Sequence, residues 1–128
     1  MNYYISKLVD YPYEEALEKI TAELKEVGFG ILTEIDVKET LKKKIDVDFR
    51  KYKILGACNP KFAHQALQAE DKVGLLMPCS VIVQEKEEGK SEIAIMDPLA
   101  AMTATGNENL REFAENVTKL LNTALERV

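Results

Sequence analysis

The chain has no tryptophan, one histidine and two cysteines in 128 residues. The shortage of histidine and of cysteine each closes a class of function. A single histidine, His64, excludes a multi-histidine metal centre within one chain. The cysteines, Cys58 and Cys79, are twenty-one positions apart, which is neither a Cys-x-x-Cys motif nor a zinc-finger spacing. No stretch approaches the ~20 apolar residues that a membrane span needs. Met1-Asn2-Tyr3-Tyr4 leads straight into mixed sequence, without the basic segment and apolar run of a signal peptide. A cytoplasmic location is therefore expected, with no membrane partner and with both thiols reduced. There is no Gly-x-Ser-x-Gly elbow and no P-loop. Gly28 and Gly30 flank one residue but follow a predicted helix, so they are not a dinucleotide fingerprint.

Positive charge is scarce as well. The net charge is −5 and the isoelectric point about 5.0. Nucleic-acid binders draw much of their affinity from a basic footprint, so no nucleic-acid partner is expected. One segment departs from this balance. Lys38, Lys42, Lys43, Lys44, Arg50, Lys51 and Lys53 stand against Glu39, Asp46 and Asp48. It reads first as a solvated helix face and loop, and second as an anion or partner patch.

What is present reads as one domain, residues 1–128. Tyr3 to Val9 is a first strand. Pro12 opens a helix whose Ala16, Leu17, Ile20, Leu24 and Val27 form an apolar stripe, and Gly28 ends it. Gly30 to Asp36 is a strand, with Ile31, Thr33 and Ile35 expected on one face and Leu32, Glu34 and Asp36 on the other. Asp36 stands three residues before Glu39, in a capping-box position for a short helix over Val37 to Lys44. Asp46 to Arg50 is a loop anchored by Val47 and Phe49.

Tyr52 to Ala57 is the next strand. Asn59-Pro60 caps a helix to Ala69, with Phe62, Ala63, Ala66 and Leu67 toward the core. Val73 to Met77 is a short apolar run that Pro78 interrupts. Cys79 to Glu85 and Ser91 to Met96 alternate, with Glu88-Gly89 between them, as in a β-hairpin. Leu99 to Gly106 allows one short helical turn. Asn107 caps the last helix, to Arg127, carrying Leu110, Phe113, Ala114, Val117, Leu120, Leu121, Ala124 and Leu125. These elements predict an α+β fold, a mostly antiparallel sheet with helices packed on one face and a long C-terminal helix.

Four segments carry a family resemblance: Gly28-Phe29-Gly30-Ile31-Leu32-Thr33-Glu34-Ile35-Asp36, Tyr52-Lys53-Ile54-Leu55-Gly56-Ala57-Cys58-Asn59-Pro60, Gly74-Leu75-Leu76-Met77-Pro78-Cys79 and Asp97-Pro98-Leu99. Together they resemble the bacterial and archaeal family called domain of unknown function 302, over nearly the whole chain. The resemblance implies a curved antiparallel sheet in a TATA-binding-protein-like layout, and homodimers. It implies no activity, because the family has none established.

Cys58, His64 and Cys79 are the leading constellation. Cys58 ends a strand just before a helix N-terminus, whose dipole favours a thiolate. His64 follows a little over one turn later, and helical side chains lean back toward the N-terminus. Cys79 opens the strand region after Pro78. Two thiolates and an imidazole suit zinc or another thiophilic metal such as copper(I). A redox pair with Cys58 attacking is the second reading. Burial of both cysteines as small hydrophobes, with His64 a surface helix residue, is the third. Glu34 and Asp36, on one strand face, and Asp97, before Pro98, are further ligand or acid–base candidates. Tyr3, Tyr4, Tyr11 and Tyr13 lie close together and suit an edge or dimer contact. The favoured function is a small binding or sensing domain, with a metal or small-ligand pocket near Cys58, His64 and Cys79. A thiol-dependent enzyme using Cys58 and a homodimeric interaction domain without chemistry are the alternatives.

Overall fold

In the computed structural model, which describes residues 2–128, five strands make one sheet. They are β1 (Tyr4–Val9), β2 (Gly30–Asp36), β3 (Tyr52–Cys58), β4 (Cys79–Glu87) and β5 (Lys90–Met96). Across the sheet they run β1-β5-β4-β3-β2, and every neighbouring pair is antiparallel. The helices are α1 (Tyr13–Glu26), α2 (Val37–Ile45), α3 (Pro60–Ala69), α4 (Pro98–Thr103) and α5 (Arg111–Arg127). Tighter 3₁₀ turns span Asp71–Leu76 and Glu108–Leu110. The fold is α+β with a long C-terminal helix, as the sequence predicts.

Spacing and caps explain the helices. In α1, Ala16, Ile20 and Leu24 recur every turn and are fully buried, while Glu14 and Glu15 complement the dipole at its start. Gly28 then takes φ +90, which glycine adopts without a Cβ penalty. Asp36 caps α2 by accepting from the Glu39 amide at 3.0 Å. Asn59 caps α3 by accepting from the Lys61 and Phe62 amides.

The core lies between the sheet and α1 with α5. Leu55, Ala57, Val81, Val83, Ile93 and Ile95 from the inner sheet face meet Ile20 and Leu24 of α1 and Val117, Leu121 and Ala124 of α5. Each fully buried Leu, Ile or Val contributes on the order of 1.5–3 kcal/mol. A second cluster joins Ala66 of α3, Val73, Met102 of α4, Leu110 and Ala114 of α5. The opposite sheet face is open over much of its width, and Leu8, Ile35 and Tyr4 there are 68%, 50% and 39% exposed.

Four local expectations are corrected. A bulge between Ile31 and Thr33 breaks the alternation of β2, so Ile31 pairs with buried Ala57 while Thr33 pairs with Gly56. Ile31 therefore turns to the core, away from Thr33 and Ile35. Asn107 caps the 3₁₀ turn, accepting from the Asn109 amide, so α5 starts only at Arg111. Leu67 is 42% exposed, because the buried stripe of α3 passes through Ala66 and leaves Leu67 on the outer flank. Val47 is exposed at 42%; Phe49 alone anchors its loop, stacking near Tyr52.

Candidate functional site

Ends of four strands meet at the end of the sheet that carries Cys58 and Cys79. β3 finishes at Cys58, β4 starts at Cys79, and the Ala57 and Cys79 Cα atoms are register partners. β2 starts beside Cys58, through the Gly30–Cys58 pair. β5 leaves the sheet at the same end and turns through Asp97 into α4. A pocket forms where these ends meet α3 and α5. Phe29, Cys58, Phe62, Met77, Cys79 and Met102 are among its walls, with Pro78, Pro98 and Phe113. Phe62 and Phe113 close one side edge to face, with ring centroids 5.7 Å apart. The cavity measures about 30 Å³. Small-molecule sites are roughly 300–1,000 Å³, so this one admits an ion or a ligand of very few atoms.

Gly56 makes the close approach possible. A Cβ there would lie 2.2 Å from Thr33 Oγ1 and 2.6 Å from Pro78 Cγ. Only a hydrogen lets Pro78 settle on β3 and carry Met77 and Cys79 into place.

Both thiols are half-buried and free. Burial pushes the Cys58 thiol above its ordinary value. Burial, with a smaller contribution from the nearby Cys58, pushes Cys79 up to about 11. Desolvation disfavours the charged thiolate at both positions. No lysine, arginine or histidine lines the pocket to stabilise a thiolate.

The structure brings Cys58 and Cys79 together and leaves the remaining candidates apart. His64 is exposed on α3 and does not line the pocket, because Phe62, Ala63 and Ala66 occupy the inward side of that helix. Among the described residues, no three His, Cys, Asp or Glu side chains converge as a metal ion would require. The triad of Cys58, His64 and Cys79 is therefore not assembled. Glu34 and Asp36 lie toward the far end of β2, where Asp36 pairs with Lys53 and both carboxylates approach Tyr13. Asp97 caps α4, accepting from the Leu99 amide at 3.0 Å and from the Thr118 hydroxyl at 3.3 Å.

Sequence reasoning missed Met77 and Met102 as pocket residues. Methionine at helical or strand spacing reads as core filler, and only the fold shows that these two residues line the same pocket as the cysteines. It also missed a groove of about 420 Å³ on the open sheet face, lined by Tyr3, Tyr4, Tyr52, Ile82, Gln84 and Glu92. There Arg50 donates to Gln84 Oε1 at 2.9 Å, and Gln84 donates to Glu92 Oε1 at 2.8 Å. The basic segment is largely partnered. Lys42 pairs with Asp46 and Asp48, Lys43 with Glu39, and Lys51 with Glu14.

The comparisons with known proteins agree with this architecture. No curated protein matches the chain. The crystal structure of an uncharacterised conserved protein DUF302 from Bacillus stearothermophilus is similar, with a TM-score of 0.91 and 30% identity over 99% of this chain and 98% of that one. The family model for the domain of unknown function DUF302 matches residues 5–128. With the match running through every strand and helix but the first residue of β1, the chain belongs to the DUF302 family.

Proposed function

We propose that this domain is a binding or sensing module, and that its ligand, of one or a few atoms, sits in the pocket beside Cys58 and Cys79. One observation supports the reading above others. The four segments that carry the family resemblance are scattered over seventy positions, yet each sends residues into this pocket: Phe29, Cys58, Met77 with Cys79, and Pro98. In a reducing cytoplasm both sulfurs remain available as thiols. The raised thiol values speak against the enzyme reading, since the thiolate is the nucleophile.

The test is native mass spectrometry of the untagged chain, purified without chelator, beside Cys58→Ser and Cys79→Ser. A stoichiometric added mass in the wild type, absent from both variants, is the expected result. A clean apo mass for all three, unchanged after incubation with thiophilic ions and small thiol-reactive gases, would end this reading.

A second reading is favoured by the open sheet face. Its five strands span about 24 Å by 23 Å, or about 550 Å² in flat projection. Rough protein surface exceeds its projection, so the face approaches the ~800 Å² that each partner gives to a standard interface. With Leu8, Ile35 and Tyr4 exposed on it, the fitting occupant is the same face of a second copy.

A further inference from the structure

Four of the six sulfur-bearing side chains, Cys58, Cys79, Met77 and Met102, line one pocket of about 30 Å³. Resting on the binding reading above, we infer that this pocket is a copper(I) site, with thiolate from one cysteine, the neutral thiol of the other, and thioether from Met77 and Met102.

The donor chemistry selects the ion. Asn59 is the one other side chain there with a polar donor or acceptor, and its oxygen is occupied by the Lys61 and Phe62 amides. Hard ions such as magnesium or calcium need oxygen ligands, which the walls lack. Zinc takes four nitrogen, oxygen or thiolate ligands in a closed site, and only two thiols are present. Thiolate together with thioether is the soft set that selects copper(I). Size agrees, since a cavity that admits one or two waters suits a bare ion.

Charge agrees too. Binding breaks a cysteine S–H bond, forms an S–Cu bond and releases the proton to solvent; copper stays monovalent throughout. One thiolate with one copper(I) is neutral, and a neutral complex avoids the cost of burying charge among Phe29, Phe62 and Phe113. The thioethers add ligands without adding charge. Met102 is 5% exposed and packed in the second core cluster, with Met77 against it, so both are held in place before the ion arrives.

The test is an anaerobic titration of the full chain with copper(I), against a chromophoric copper(I) chelator. A parallel titration uses zinc(II). Cys58→Ser, Cys79→Ser, Met77→Leu, Met102→Leu and His64→Ala accompany the wild type, with circular dichroism to establish folding. Methionine to leucine conserves volume, so those two variants keep the fold testable. One copper(I) per chain is expected, with preference over zinc. Each methionine variant should lose no less than the roughly tenfold that follows removal of a ligand's hydrogen-bond partner. The His64 variant should bind as the wild type does. Copper(I) affinity unchanged in both methionine variants would overturn the thioether assignment, while binding dependent on the cysteines would leave the pocket reading intact. Tighter zinc than copper(I) binding would overturn the proposal in the same way. A wild type that takes up neither ion overturns it outright, and the mass spectrum then decides whether the pocket holds anything else.

Discussion

Glycine at position 56 is a steric requirement. Thr33 and Pro78 both stand inside the space of a Cβ. Both groups are held, one in β2 and one in a proline ring, so neither yields easily. Gly56→Ala should therefore cost about 1–3 kcal/mol, the usual range for overpacking. Gly74→Ala has open space around it and should stay within about 0.5 kcal/mol. Urea unfolding of the two variants checks both figures. Tyr13 supplies a pH prediction. Burial, followed by the nearby Asp36, Glu14 and Glu34, pushes its phenol from 10.0 up to about 12. The unfolded chain ionises first, so Tyr13 contributes stability in full below pH 10 and loses it as pH rises toward 12. Alkaline unfolding of Tyr13→Phe should lack that part of the decline. At this scale the sequence put Cys58 at a strand end and Cys79 at a strand start, and left open whether the two meet, because strand order is not written in either segment. It left His64 open between pocket ligand and surface helix residue, and the structure places it on the exposed side; one residue on a helix turns the side chain by about 100°.

Among the elements, α5 depends on a contact from the other end of the chain. Lys7 on β1 reaches the last turn and donates to the Leu125 carbonyl at 3.4 Å, to Glu126 at 3.1 Å and to Val128. It satisfies carbonyls that a helix end leaves without partners, and its charge meets the negative end of the dipole. Lys7→Met should destabilise by about 1 kcal/mol. Amide exchange should quicken in the last turn of α5, and Lys7→Arg should restore most of the protection. Helices α1 and α5 were legible because their apolar stripes run for several turns. The 3₁₀ turn at Asp71–Leu76 was not, because a short apolar run fits a strand or a helix equally. The β2 bulge was hidden for a related reason: alternation assumes one residue opposite one residue, and an inserted residue leaves no mark in composition.

For the molecule as a whole, pairing through the open face makes a plain prediction. The wild type should sediment as a dimer at micromolar concentration. Leu8→Lys with Ile35→Lys should sediment as a monomer with an unchanged circular dichroism spectrum, because both side chains already face solvent in the single chain. A monomeric wild type at the same concentration would remove this pairing. No helix among the described residues is long and apolar enough to cross a membrane. The convergence of four separated segments on one pocket was beyond sequence reasoning. Strand order decides it, and β1 with β2 at opposite edges is not a pattern that periodicity reports.

That strand order also bears on how the chain is made. β1 precedes the other strands of this sheet in the chain, yet among the described residues it pairs with β5 alone, with Tyr4 opposite Met96 and Val9 opposite Ser91. At about 5–20 residues per second, translation leaves β1 without that partner for roughly 5–20 seconds. The sheet cannot grow from the N-terminus; its central hairpin, β4 with β5, has the shortest loop to close and should form first. A nascent chain stalled before β5 would therefore hold its first strand out for capture by a chaperone or by another copy.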